Sequence, residues 1–485
     1  MHRNLRTALA TATAAALTGG LLVAMAGPAA AAPSGLDGDF NGDGYRDVAV
    51  TAPLAHVSGK GGAGAVTVLY GSPAGAGANK VQTLTQDSAG VPGAAEKDDQ
   101  FGAHTAPGDF NGDGYADLAV GAPGEDAGDD ANGGTVVILW GGSAGLSGGT
   151  TVSDPSRSSH DWFGQVVAAG DYNGDGRDDL AIASDINKVD IYRGGFTKSG
   201  STGGRYTVTA PILPVPGIDI FNLTPGDVDA DNRTDLVVDG YEGDSDGEYS
   251  YNANYWLPGS SSGITTSGSR KLPAGVISDI GDVNGDGYGD IVIGNSWDAG
   301  TNTAGTSKGG SVDVVYGASY GPEGGTERVN QNTAGVPGDN ETGDGFGYEV
   351  TLGDINGDGH DDLVIGAPGE DLGGIADTGM VSVIYGGAAG LSETGSQSLH
   401  QDTAGVPGSS EEGDGFGGEV LLSDVTGDGK ADLTVGLPWE NDSNGYAVAF
   451  TSDGLKINAA GRGIGLGAVG VSSSGNPMLG FHVNG

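Results

Sequence analysis

The chain contains no cysteine in its 485 residues. That excludes a disulfide framework, a cysteine nucleophile and a thiolate zinc site, so something else must hold the fold together. Aromatic residues make up only 6% of it, too few for a large Phe/Trp core, which points to many small layers. Positive charge is also scarce, with 20 Lys+Arg against 64 Asp+Glu and a net charge of −44. Nucleic acid is recognised through a basic stripe that displaces counterions, and these few basic residues are scattered, so no nucleic-acid partner is expected. Beyond the N-terminus there is no long apolar run, and no membrane span is expected. The N-terminal run has a basic start (His2, Arg3, Arg6), an apolar stretch Ala8–Met25 and small residues Ala29–Ala32. It reads as a signal peptide over residues 1–31, cut just before Ala32 or Pro33, which makes the chain secreted.

Glycine is abundant, at 97 residues, without the strict triplet period of collagen. The apolar residues fall in short β-branched runs at regular spacing, so the glycines read as turns between strands. A nine-residue frame, Asp-x-Asn-x-Asp-Gly-x-x-Asp, recurs seven times, starting at Asp39, Asp109, Asp171, Asp227, Asp282, Asp354 and Asp424. Positions ten and twelve are apolar in every copy, as in Val48/Val50 and Leu363/Ile365, a strand signal with one face buried. Phe-Gly pairs precede several frames (Phe101-Gly102, Phe163-Gly164, Phe346-Gly347, Phe416-Gly417), and Gly-Ala-Pro turns follow some of them (Gly121–Pro123, Gly366–Pro368). Seven such units, from about residue 36 to 470, imply one repeat domain over 32–485. The first unit lacks its Phe-Gly strand, and Ile464–Val469 near the other end supplies one. A C-terminal strand that completes the first blade closes a propeller and hides its edges, so the expected fold is all-β, a seven-bladed β-propeller with calcium-binding blade loops.

The frame carries oxygen donors at positions 1, 3, 5 and 9 and a glycine at position 6 for the left-handed turn that gathers them. Position 1 is the Asp that opens each copy. Position 3 is Asn41, Asn111, Asn173, Asp229, Asn284, Asn356 or Thr426. Position 5 is Asp43, Asp113, Asp175, Asp231, Asp286, Asp358 or Asp428, and position 9 is Asp47, Asp117, Asp179, Asp235, Asp290, Asp362 or Asp432. The backbone carbonyl of position 7 (Tyr45, Tyr115, Arg177, Arg233, Tyr288, His360 or Lys430) can add a further donor. Calcium wants six to eight hard oxygens, and acids this close repel one another unless a cation lies between them. An EF-hand needs a bidentate Glu at position 12 and flanking helices; here position 12 is Val or Ile and strands follow. Up to seven Ca²⁺ ions are therefore expected, with Asn232 replacing the glycine in copy four and Thr426 the weakest donor in copy seven.

Phe-Gly, then Asp-x-Asn-Gly-Asp-Gly-x-x-Asp-Leu, then Val-Gly-Ala-Pro resembles the FG-GAP repeat of integrin α-chain propellers and their bacterial secreted relatives. Residues Phe346–Pro368 match it almost throughout. The resemblance implies a seven-bladed propeller with calcium in the blade loops. The same repeat occurs beside the catalytic domain of proteins resembling glycosylphosphatidylinositol-cleaving phospholipases, so a secreted hydrolase, esterase or phospholipase-like, or an accessory domain of one, is the alternative. Gly-x-Ser-x-Gly occurs at Gly141–Gly145, Gly259–Gly263 and Gly317–Gly321, but after strands that end in an aromatic or Leu-Pro, where turns are expected instead of a nucleophile elbow. The reading is a monomeric, non-enzymatic adhesion or binding module for an extracellular protein or glycan. Its candidate surface is the set of acidic inserts beginning Gln86–Gly93, Gln331–Gly338 and Gln401–Gly408, whose other reading is simple connectors copied by duplication. Asn222, Asn232, Asn340 and Asn441 head glycosylation sequons.

Overall fold

The computed structural model describes residues 34–485 apart from 129, 157–161, 215–219, 244–249, 299–304 and 324. The signal-peptide segment lies outside the described residues. Seven antiparallel sheets of four strands follow one another along the chain. In blade 6, strands Glu349–Gly353, Asp362–Ala367, Met380–Tyr385 and Ser392–Leu399 pair in order from the innermost to the outermost. The innermost strands of neighbouring blades touch all the way round, so the ring closes.

Closure is not made where the sequence suggests. Arg462–Gly465 pairs with Tyr446–Phe450 as the outermost strand of blade 7, and Leu466–Val469 turns helical. The strand that completes blade 1 is Val483–Asn484, paired with Val48–Ala52. Leu479-Gly480 takes the Phe-Gly place: Leu479 is fully buried and bridges Gly445, as Phe163 bridges Gly134 and Phe346 bridges Gly310. Blade 7 needs an outer strand of its own before the chain can go on to close the ring, and Arg462–Gly465 is the first segment that can provide it.

The second strand of each blade was expected to bury one face, yet Asp117–Ala122, Asp290–Asn295, Asp362–Ala367 and Asp432–Leu437 are buried along their whole length. Blades pack face to face, so a central strand has a neighbouring sheet on both sides. The core is accordingly seven clusters, one per interface: Phe101, Val120 and Val137 of blade 2 meet Val66 and Val68 of blade 1, and Val483 and Leu69 of blade 1 meet Ala447 and Ile464 of blade 7. The motif glycines are contacts between blades. A Cβ on Gly366 would lie 2.1 Å from the Gly417 carbonyl of the next blade, and one on Gly121 would lie 1.9 Å from that of Gly164. The Phe side chains before those glycines, Phe101, Phe163, Phe346 and Phe416, are wholly buried.

Candidate metal centres and the central channel

The strands alternate in direction, so all seven Asp loops lie at one end of the ring. Each is tied by the same bonds. The position 1 carboxylate accepts the amides of positions 5 and 6, as Asp354 does from Asp358 (3.2 Å) and Gly359 (2.9 Å). The position 9 carboxylate accepts a backbone amide just beyond the third strand of its blade: Gly71 to Asp47 (2.8 Å), Gly141 to Asp117 (2.8 Å), Gly194 to Asp179 (2.7 Å), Gly259 to Asp235 (2.7 Å), Gly317 to Asp290 (2.9 Å), Gly386 to Asp362 (2.9 Å) and Ser452 to Asp432 (2.8 Å). Its other oxygen takes a donor from its own loop, for example Ile355 N to Asp362 (2.9 Å) or the Asn111 side chain to Asp117 (3.0 Å). Position 9 is thus a brace between the loop and the sheet.

Burial pushes these carboxyls up against the pull of the amides, Asp47 and Asp117 to about 8 and Asp235, Asp290 and Asp362 to about 7. A carboxylate offers about four lone pairs, so two amide bonds leave room for a cation. In loop 4 the fold brings one oxygen each of Asp227, Asp229 and Asp235 within 4.8 Å of one another, the one such group of three among the described residues. One buried Asp229 oxygen there has no hydrogen-bond partner, and at position 3 of loop 7 the buried Thr426 hydroxyl faces the Asp432 carboxyl. Acids and an orphaned oxygen at position 3 fit a hard divalent ion. Position 5 is the donor that the fold leaves apart: Asp358 and Asp428 are 49% exposed and touch the side chains of His360 and Lys430.

Position 7 has a second role that the sequence did not show. Its side chain covers the position 4 residue of the preceding blade's loop: a Cβ on Gly42 would strike the Tyr115 ring at 2.5 Å, one on Gly427 that of Tyr45 at 2.9 Å, and one on Gly285 the His360 ring at 2.9 Å. Backbone bonds run the same way, from Ala116 N to Asp39 O (3.1 Å) and from Ala431 N to Asp354 O (2.8 Å). Each loop therefore clamps its neighbour. Copy four departs as read, with Asn232 at φ 62° in the glycine position.

Through the axis runs a channel, a cavity of about 880 Å³ lined by all seven innermost strands. At the end away from the Asp loops its first side-chain layer is uneven: Glu349 and Glu419 follow one another around the ring, then His482 and His104. The two imidazoles lie 4.2 Å apart, and Glu419 Oε2 is 3.8 Å from His482 Nδ1. Burial pushes Glu349 up to about 8 and His482 down to about 4. Aromatic rings stand above this layer: Tyr348 and Trp439 meet edge to face at 6.0 Å, and Phe481 and Trp297 also line the mouth.

The FG-GAP repeat family matches residues 36–69, 101–139 and 346–384, and the FG-GAP-like repeat family matches residues 171–238. The chain is an FG-GAP-repeat, integrin-like β-propeller. Similar proteins include integrin alpha-PS2 of Drosophila melanogaster, 27% identical over 293 residues, 59% of this chain and 16% of that one. Integrin alpha-E of Mus musculus is 37% identical over 155 residues, 30% of this propeller and 12% of that protein. Phosphatidylinositol-glycan-specific phospholipase D of Rattus norvegicus is 33% identical over 147 residues, 30% and 17% of the two chains. The propeller thus matches less than a fifth of each of these relatives. A solved structure from Arthrobotrys oligospora aligns at a TM-score of 0.38 and 11% identity, over 74% of this chain and 86% of that one, too little likeness to bear on fold or function.

Among the described residues no helix is long and apolar enough to cross a membrane. The three Gly-x-Ser-x-Gly segments each close a turn between the third and outermost strands, through Gly145 N to Gly142 O (2.6 Å), Gly263 N to Ser260 O (2.6 Å) and Gly321 N to Ala318 O (2.8 Å). Of the sequons, Asn222 is buried, with its amide on Asp239 (2.8 Å), so the folded chain does not present it for glycosylation.

Proposed function

We propose that the chain is a secreted, calcium-loaded binding or adhesion module, with its ligand taken at the channel mouth and the Asp loops serving as clamps. The observation that carries this is the division of labour between the two ends of the ring. At one end, repeated oxygen clusters are braced to the sheets and to one another; at the other, an uneven set of aromatics and acids surrounds an open channel. Positions 1, 3, 5 and 9 of each loop, with the position 7 carbonyl, would hold the ion, and the exposed position 5 Asp would swing in to complete the shell. Calcium would supply there the positive charge that offsets the repulsion among the loop carboxylates. Extracellular modules bind it with Kd ~10⁻⁴ to 10⁻³ M, so at ~1 mM each site adds up to roughly 1.4 kcal/mol.

The aromatic faces of Tyr348, Trp439 and Trp297, beside Glu349 and Glu419 carboxyls that a cation would draw into their charged form, suit an extracellular protein or glycan that presents a cationic group. The test is binding of the full chain to lysine- or arginine-bearing peptides and to amino-sugar and neutral glycans, by calorimetry with calcium or with chelator. Saturable binding that is lost with chelator and weakened by Trp439→Ala and Glu419→Gln supports the reading. Ester or phosphodiester turnover that disappears in Ser143→Ala or Ser319→Ala would replace it with the hydrolase alternative.

A further inference from the structure

The three acidic inserts are not loose connectors. Each leaves the outermost strand of one blade and enters the next blade at the end of the ring opposite the Asp loops. Each turns one glutamine inward: Gln86, Gln331 and Gln401 are 2%, 4% and 3% exposed. The side-chain amide of each donates to a glutamate 39 residues further on, Gln86 to Glu125 at 2.5 Å, Gln331 to Glu370 at 2.5 Å and Gln401 to Glu440 at 2.8 Å. A buried aspartate from the same insert stands beside each glutamate: Asp99, Asp344 and Asp414, each held by the amide of the residue three before it. In the third copy the carboxyls of Asp414 and Glu440 lie in hydrogen-bond contact.

Two features of these triads are unsatisfied, and the same two recur in all three. Among the described residues no lysine or arginine pairs with any of the six carboxyls. The glutamine Oε1, although buried, has no hydrogen-bond partner in any copy. Turning the carboxamide over does not help, because it sets a carbonyl oxygen against a carboxylate. With the glutamate ionised, both orientations leave oxygen facing oxygen or facing nothing, and that is costly in a buried place: burial pushes Glu125, Glu370 and Glu440 up to about 7. One positive ion among the three side chains removes both deficits at once. The first copy also has room for the ion's water, in a cavity of about 210 Å³ lined by Gln86 and Glu125.

We infer that the triads Gln86/Asp99/Glu125, Gln331/Asp344/Glu370 and Gln401/Asp414/Glu440 are three further calcium sites, on the face away from the Asp loops. Two carboxylates and an amide carbonyl are hard oxygen donors in irregular array, which calcium tolerates and magnesium does not. An ion there pins each insert to the blade it enters and so shapes the rim of the channel mouth at blades 2, 6 and 7.

The test counts ions. After exhaustive chelation, the full chain and its Glu125→Gln/Glu370→Gln/Glu440→Gln variant are dialysed against calcium and the bound metal is measured. The variant is expected to hold three ions fewer. Equal counts, with water alone on the glutamine oxygens, would overturn the inference. Should the triple variant fail to fold, terbium provides a second reading on the parent, since Trp439 adjoins Glu440 and can sensitise an ion bound beside it. The emission lost in Trp439→Phe should also be lost in Glu440→Gln; no change in Trp439→Phe overturns the inference. Asp358→Ala, which removes a donor from an Asp loop, reports on that set of sites separately.

Discussion

If the ring is locked by its last residues, Leu479 should matter as much as any Phe of the repeat. It is fully buried in the place that Phe101, Phe163, Phe346 and Phe416 occupy in other blades, and Gly480 after it donates to Thr51 O at 2.9 Å while Thr51 donates to His482 O at 3.0 Å. Leu479→Ala removes most of a packed side chain at a site whose backbone is tied on both sides and cannot collapse, which costs ~2–5 kcal/mol. In a ring of this size the entropy of unfolding is large, so that loss lowers the melting temperature by roughly 2–5 °C. Stopping the chain after Ser474 removes the whole closing strand and exposes the edge Val48–Ala52. The expected result is a broad melt that begins well below that of the parent, because blades 1 and 7 lose their shared interface. Calorimetry of the calcium-loaded full chain, Leu479→Ala and the truncated chain decides it. A truncated chain that melts within ~1 °C of the parent, with Leu479→Ala silent, would mean that closure lies elsewhere.

Other outcomes follow from the same geometry. Gly366→Ala sets a methyl against the Gly417 carbonyl and should cost ~1–3 kcal/mol in denaturant melts, whereas Gly142→Ala, with open space around it, should fall within ~0.5 kcal/mol of the parent. Glu349 titrates near 8 in the fold and near 4.5 unfolded, so the folded chain holds the extra proton between those values and its stability falls as pH rises through them. His482 titrates near 4 against 6.5 unfolded, and its contribution is lost as pH falls through that window. Glu349→Gln removes only the first of these, so it should raise the melting temperature more at pH 8 than at pH 5.5 and leave it nearly unchanged at pH 4. Thr426→Asp should tighten calcium binding at the seventh loop in a calorimetric titration; an unchanged isotherm would show that loop 7 does not bind.

The repeat, its count and the all-β class were legible from local chemistry alone, because each blade writes its turns and strands in residues close in sequence. The seven Asp frames stood out for the same reason: a loop gathers its donors within nine residues. What no local pattern contained was the identity of each motif's partner. Gly366 is glycine because Gly417 of the next blade presses on it, and Gly121 because Gly164 does. The triads needed Gln401 to meet a glutamate 39 residues away, which only the stacking of blade 6 on blade 7 brings about. Closure was misplaced by the sequence for that reason too. Ile464-Gly465 and Leu479-Gly480 are alike as strings, and the choice between them belongs to blade 7, which pairs the first as its own edge and leaves the second to reach Val48–Ala52. A hydrophobic residue and a glycine specify a strand entry; the sheet edge that it joins is set by which edges remain unpaired once the ring has formed.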